Sequence, residues 1–287
     1  MQVKKAIIPA AGFGTRMLPA TKAIPKEMLP LVDRPSIQYI VEEAVQSGIE
    51  DILIIISRGK SSIADHFDYS PELTDKLRSS GRVSDADALD AIANMANITF
   101  LRQKSMKGLG HAVWCARYFT GNEPFGVLLG DDVMQADVPV LKQLINASEK
   151  YECSSVSVNQ VPLSEISKYC SLDVSPVESN LFNVHRLVEK PSENEVMSNY
   201  AILGRYVLTP SIHEILASQS PGHGGEIQLT DGLNTLCQRE RMLAVDFSGT
   251  RYDTGNICGY LHAIIDIARK RSDIGPWFEQ YLKNLSF

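Results

Sequence analysis

Residues 6–30, AIIPAAGFGTRMLPATKAIPKEMLP, constrain the fold more than any other stretch of this chain. Val3, Ala6, Ile7 and Ile8 are apolar and stop at Pro9, so the stretch opens as a buried strand. A loop of small residues follows, Ala10-Ala11-Gly12-Phe13-Gly14, and then Thr15. Three cations come next, Arg16, Lys22 and Lys26, along a segment broken by Pro19, Pro25 and Pro30. Small residues let a backbone approach a ligand closely, and their N–H groups can face oxyanions. Arginine binds phosphate as a planar fork and lysine as a point charge. These are the parts a nucleoside triphosphate site needs. On Gly12 and Gly14 alone, the simpler reading is a strand-to-helix turn that uses glycine for backbone freedom.

Two better-known phosphate loops are excluded. A dinucleotide fingerprint needs G-x-G-x-x-G/A, but Met17 stands three residues after Gly14. A P-loop needs G-x-x-x-x-G-K-S/T, and Gly59-Lys60-Ser61 has Ile54 where the first glycine belongs.

The apolar pattern past the loop predicts an α/β chain. Ser36 to Gly48 has helical spacing at Ile37, Ile40, Val41, Ala44 and Val45, and Asp51 to Ser57 reads as a strand covered on both faces. Together with the first strand they make a βαβ unit. Residues 58–96 read as a polar helical excursion, 98–101 as a strand, 107–119 as a helix, 126–130 as a buried strand and 138–150 as a helix. Beyond these the alternation weakens. Strands near 153–161, 184–189 and 200–208, with helices at 210–218, 226–239 and 257–270, predict a mixed, mostly parallel sheet with a smaller antiparallel extension. We expect a single domain over 1–287, with a first half to about 150, a second half to about 257 and C-terminal helices that pack on the body or on a partner subunit.

Composition narrows the function. The formal net charge of −6 argues against a general nucleic-acid coat. The cysteines, Cys115, Cys153, Cys170, Cys237 and Cys258, are odd in number and form no CxxC pair, which argues against a disulfide scaffold or zinc knuckle. No apolar run approaches the roughly 20 residues of a membrane span, and the N-terminus lacks a signal peptide's pattern. The chain reads as cytoplasmic. The histidines show no HxxxH or HExxH spacing and no G-x-S-x-G occurs, so neither a zinc hydrolase nor an α/β-hydrolase is signalled.

Carboxylates mark the remaining chemistry. Asp131-Asp132 follows a buried strand, where α/β proteins bind ligands. Two adjacent like charges there suit a hard cation such as Mg²⁺, and they suit a turn or helix cap equally well. Glu189-Lys190-Pro191 ends another strand, and adjacent strand residues point to opposite faces. Gln103 by itself is only a polar residue at a strand end, although a Gln amide can pair with a pyrimidine edge.

The string A-A-G-x-G-T-R-x-L-P-x-T-K…P-K-E-M-L-P resembles the signature loop of the sugar-nucleotide pyrophosphorylases, and more narrowly that of the bacterial UTP–glucose-1-phosphate uridylyltransferases. The resemblance runs from Val3 to about residue 270, with separated strings in the family's order. It implies a Rossmann-like nucleotidyltransferase fold, with nucleotide bound by the half to about 150 and sugar by the half from about 151 to 257, and a Mg²⁺-dependent reaction of UTP with α-D-glucose 1-phosphate. The nucleotide would meet Ala10, Ala11, Gly12, Gly14 and Thr15, with Gln103 and Gly108 at the uracil. Catalytic roles would fall to Arg16, Lys26, Asp131 and Lys190. Gly130-Asp131-Asp132 matches the family's metal motif with Asp131 as ligand, and Asp253 matches a second carboxylate on the same metal. Asp132, Glu189, Lys190 and Asn199 would lie at the sugar. Cys170 would also, where the family usually carries a glycine after Lys168-Tyr169. Glu226 to Asp231 matches a helix with no chemistry assigned. The resemblance also implies a homo-oligomer, a dimer or a tetramer. Two alternatives stay open: the same chemistry on dTTP or another hexose 1-phosphate, and a non-catalytic regulatory paralogue.

Overall fold

Continuous apolar runs and short polar-edged segments become strands of different rank in the fold, a computed structural model that describes residues 1–285. The strands are β1 (Lys5–Pro9), β2 (Pro30–Leu31), β3 (Arg34–Pro35), β4 (Asp51–Ile56), β5 (Asn97–Arg102), β6 (Phe125–Leu128) and β7 (Asp132–Gln135). They continue with β8 (Ser154–Gln160), β9 (Cys170–Glu178), β10 (Leu181–Glu189), β11 (Tyr200–Leu208), β12 (Met242–Asp246) and β13 (Thr250–Asp253). One sheet takes the order β5-β4-β1-β6-β11-β8-β12-β10-β9. The first four of these are mutually parallel. β11 is antiparallel to both β6 and β8, and β8 returns to a parallel pairing with β12. The β9–β10 hairpin closes the far edge as an antiparallel extension. The architecture is the expected mixed α/β sheet.

Alternation along the buried strands divides the core. Ala6 and Ile8 of β1, with Ile52 and Ile54 of β4, belong to the core on one face. Ile7, Leu53 and Ile55 belong to the core on the other. Residues of the helices Ser36–Gln46, Val140–Tyr151 and Ile257–Lys270 join the first core. Those of Leu109–Cys115, Ser211–Ser218 and Leu229–Arg239 join the second. Fully burying one such aliphatic side chain contributes about 1.5–3 kcal/mol, so both faces of the parallel strands must be covered.

The predicted segments are found with shifted ends. The helix expected over 107–119 starts at Leu109 and breaks at Ala116 into Leu109–Cys115 and Arg117–Thr120. The helix expected from 226 starts at Leu229, because the backbone before it is bonded to another segment: the Ile227 N–H donates to the Lys107 carbonyl at 2.8 Å, and the Gly110 N–H donates to the Ile227 carbonyl at 2.9 Å. Strand β9 escapes a pattern reading because it carries Asp173, Pro176 and Glu178, which an edge strand tolerates.

Candidate active site

The carboxyl ends of β1 and β6 open side by side, and the loops that leave them form the site. Ala10 extends the β1 ladder by donating its N–H to the Ile55 carbonyl at 2.8 Å. Gly14 sits at φ +67, where its carbonyl accepts from Thr21 Oγ1 at 2.8 Å and an added Cβ would crowd Thr21 and Lys26 at 3.2–3.3 Å. Gly12 has open space where a Cβ would go, and Gly12 and Thr15 are both exposed. The loop surface that would face a ligand is therefore free of protein side chains at Gly12.

The buried residue under this loop was not found by motif reading. Lys60, part of the rejected P-loop match, is 6% exposed, and its Nζ donates to the Ala10 carbonyl at 2.6 Å and to both Glu27 carboxylate oxygens at 3.0 and 2.8 Å. Glu27 is 1% exposed, its own carbonyl accepts from Ser36 Oγ at 3.0 Å, and an added Cβ on Gly130 would lie 3.4 Å from its Cγ. Burial pushes the Lys60 pKa down and the Glu27 pKa up, each against the attraction of the other. The pair joins the loop, the residue after Lys26 and the turn before Asp131.

Asp131 and Asp253 meet although 122 positions separate them in sequence. Strands β7 and β13 pair antiparallel with Asp132 opposite Asp253, and the Thr254 N–H and hydroxyl both donate to the Asp131 carbonyl at 2.9 Å. An added Cβ on Gly255 would stand 2.6 Å from Asp131 Oδ2, 3.1 Å from Asp253 Oδ1 and 2.8 Å from Arg16 Nη2, so these groups converge on one point. Lys26 Nζ donates to Asp131 Oδ2 at 2.5 Å, and the Arg16 guanidinium lies 3.7 Å from Asp131 and 4.0 Å from Asp253. Burial alone would raise the Asp131 pKa, but Lys26 and Arg16 outweigh it and hold the carboxyl below its ordinary value. Burial opposes the charge on Lys26 too, and Asp131 overcomes it, leaving that pKa raised.

Asp132 points the other way, into a cavity of about 160 Å³ lined also by Cys170, Glu189, Gly204, Thr230 and Arg251. Arg251 holds Asp132 Oδ1 through Nε at 2.7 Å and Nη2 at 2.6 Å. Burial, with Asp131 and Asp253 nearby, still pushes the Asp132 pKa up to about 6 despite Arg251. Gly204, at φ +70, leaves the space that Asp132 fills. Glu189 Oε2 accepts from Thr230 Oγ1 at 2.7 Å. Lys190 takes φ +45, and its N–H donates to the Tyr169 carbonyl at 2.9 Å, so the side chain leaves the strand and is exposed. Cys170 is 4% exposed and is absent from the positive-φ residues, so no backbone strain accompanies it. Its burial next to Glu189 pushes the thiol pKa up and keeps it protonated. Asn199 is not brought to this cavity: its Nδ2 donates to Gln160 Oε1 at 3.4 Å, and its carbonyl accepts from the Val161 N–H. That placement follows from its position just before β11, where it closes the pairing with β8.

At the other end of the site, Gln103 is 5% exposed and its Nε2 meets the Gly108 carbonyl and His111 Nδ1. Gly108 takes φ +96, and an added Cβ there would collide with Glu226 and the Ile227 carbonyl. The glycine is thus required by the chain's own packing. Arg251, Thr230 and Lys60 act through partners distant in sequence, Asp132, Glu189 and Glu27, which no local motif records, whereas His111 reaches Gln103 only eight positions away.

The chain matches the nucleotidyl transferase family over residues 5–270. It is 49% identical over 284 residues to the UTP–glucose-1-phosphate uridylyltransferase of Bacillus subtilis strain 168, covering 99% of this chain and 97% of that protein. A UDP-glucose pyrophosphorylase crystallised with UDP-glucose superposes with a TM-score of 0.86 at 44% identity, over 94% of this chain and 100% of that one. A UTP-bound UGPase from Acinetobacter baumannii superposes with a TM-score of 0.89 at 34% identity, over 99% and 100%. Likeness of this extent, at these identities and over the site just described, places the chain in the nucleotidyl transferase family and, within it, among the UTP–glucose-1-phosphate uridylyltransferases.

Proposed function

We propose that the protein joins UTP and α-D-glucose 1-phosphate into UDP-glucose and releases pyrophosphate. The observation that carries this reading is the convergence of Arg16, Lys26, Asp131 and Asp253 at the end of an open small-residue loop, next to a polar cavity holding Glu189. A phosphate oxygen of the sugar attacks the α-phosphorus of UTP, the new O–P bond forms in line, and the bond to the β-phosphate oxygen breaks. Such a step depends on positioning and charge stabilisation and needs no covalent intermediate. Lys26 and Lys190 hold the α-phosphate and the incoming phosphate, while Arg16 meets the charge that builds on departing pyrophosphate. Glu189 accepts from sugar hydroxyls, and Gln103 meets the base.

Mg²⁺ fits the donor set. It is commonly held by one or two carboxylates plus substrate phosphates. Asp131 and Asp253 converge as such a pair, with Lys26 on Asp131, while Asp132 is engaged by Arg251; among the described residues no cluster of three or more His, Cys, Asp or Glu is placed to hold a metal without substrate oxygens. When bound, the ion would neutralise and align the triphosphate; Asp131 and Asp253 would hold it.

Two further readings complete the proposal. Among the described residues no helix is long and apolar enough to cross a membrane, and we place the protein in the cytoplasm. Ile257, Leu261 and Ile265 form an exposed stripe at helical spacing, with exposed Trp277 and Tyr281 on the last helix; such a patch supports assembly with a second copy. The test of the activity is pyrophosphate release from UTP and glucose 1-phosphate with Mg²⁺, which should stop on chelation. Absence of release, or faster release with dTTP or another hexose 1-phosphate, would overturn the substrate assignment.

A further inference from the structure

Gln103 follows β5, and its side-chain amide is almost enclosed. Nε2 lies 3.3 Å from the Gly108 carbonyl and 2.8 Å from His111 Nδ1. A carbonyl oxygen only accepts, so the nitrogen end of the amide must face Gly108. That carbonyl cannot turn away. Gly108 is held at φ +96, with the Ile227–Lys107 and Gly110–Ile227 hydrogen bonds on either side. The second amide hydrogen is then directed at His111 Nδ1, which accepts it when the imidazole is neutral with its proton on Nε2. Burial and the Lys107 ammonium hold the His111 pKa below its usual value and favour that form. With both hydrogens engaged, and no donor from the described residues reaching Oε1, the oxygen is the group left for a ligand.

We propose that His111 is a positioning residue that sets base specificity: it locks the Gln103 amide so that Oε1, an acceptor, meets position 3 of the pyrimidine. The inference rests on the reading of Gln103 as the base contact. Uracil and thymine both carry an N3–H and can donate to Oε1. Cytosine presents a bare N3, so Oε1 would face another acceptor. A site whose polar group is left unpaired, or faces like, rejects the wrong ligand far more strongly than a misfitting apolar wall does. Without His111 the amide is held by the 3.3 Å contact to the Gly108 carbonyl alone, so a rotation that offers its NH₂ end to cytosine gives up one hydrogen bond instead of two. The chemistry discriminated is the protonation of the pyrimidine N3; the lock does not separate uracil from thymine.

The experiment compares kcat/KM for UTP and CTP in wild type, His111→Leu, His111→Asn and Gln103→Ala, each checked for folding by thermal melting. The expected result for His111→Leu is a fall of about tenfold or more in the UTP:CTP ratio, mainly through KM for UTP. Asparagine keeps an acceptor near the Nδ1 position, so His111→Asn should restore the ratio to within about threefold of wild type. A His111→Leu variant that loses UTP and CTP turnover in equal proportion, or an Asn variant that fails to restore the ratio, overturns the proposal. Gln103→Ala separates the two layers. If it leaves the ratio unchanged, the base-contact reading itself fails; if it lowers the ratio and His111→Leu does not, only the role of His111 fails.

Discussion

Arg16 stands largely in solvent at 62% side-chain exposure, yet it faces two carboxylates that would otherwise repel each other. A guanidinium placed where charge develops acts mainly in the transition state, so Arg16→Ala should lower kcat by on the order of 10²-fold, more than it raises KM. Steady-state kinetics decide this, and a change confined to the KM for UTP would make Arg16 a binding residue only. Cys170 lines the cavity proposed for the sugar, without strain and as a protonated thiol. Cys170→Gly should therefore leave kcat/KM for glucose 1-phosphate within about tenfold, or ~1.4 kcal/mol of transition-state binding. A switch of preferred sugar in that variant would show that the thiol selects the substrate. Away from the site, His213 stacks on Phe125, its Nε2 lies 2.7 Å from Thr120 Oγ1, and burial lowers its pKa to about 4. The unfolded chain takes up a proton near pH 6.5 that the folded chain refuses until about pH 4. Stability is thus full above pH 6.5 and falls through that window, by on the order of 3 kcal/mol. Urea midpoints at pH 7 and pH 5 should differ less in His213→Gln than in wild type.

At the scale of elements, two devices assemble the site. The short β7–β13 ribbon brings Asp253 to Asp131, so the two should share one divalent ion. Asp131→Asn should keep the ribbon, whose bonds to Thr254 use the Asp131 carbonyl, and lose most turnover at limiting Mg²⁺. Near-normal rates under that condition would remove Asp131 from the metal site. The second device is the buried Lys60–Glu27 pair beneath the loop. Lys60→Met strands a buried carboxylate and should cost about 3–5 kcal/mol of stability, whereas Lys60→Met with Glu27→Leu should regain most of it. Activity should stay low in the double variant, because the Ala10 carbonyl has still lost its donor. Urea denaturation paired with kinetics reads both effects; full activity in the double variant would leave the pair a stabilising role alone.

At the scale of the whole molecule, the exposed stripe of Ile257, Leu261 and Ile265, beside Trp277 stacked on Tyr281 at 5.9 Å, is the apolar surface that a second copy would cover. Leu261→Asp together with Trp277→Asp should lower the mass seen by sedimentation; an unchanged mass would place the interface elsewhere. The sequence alone determined the parts that local pattern records. Runs such as Asp51–Ile56 announce strands covered on both faces, Ser36–Gln46 announces its helix, and the loop with Arg16 and Lys26 announces the family, because each needs only neighbours within a few residues. What the tertiary structure decided depends on partners far apart in the chain. Edge strand β9 reads as polar, and the β7–β13 ribbon is too short to show a period. Asn199 lies at the β8–β11 pairing, outside the cavity of Asp132 and Glu189, and Lys60, read as a failed P-loop, became the buried anchor of the loop that precedes it by 50 residues. A side chain's type states what it can bond, but burial and the distance to a partner fix what it does bond, and both are set only when the sheet and its loops close around it.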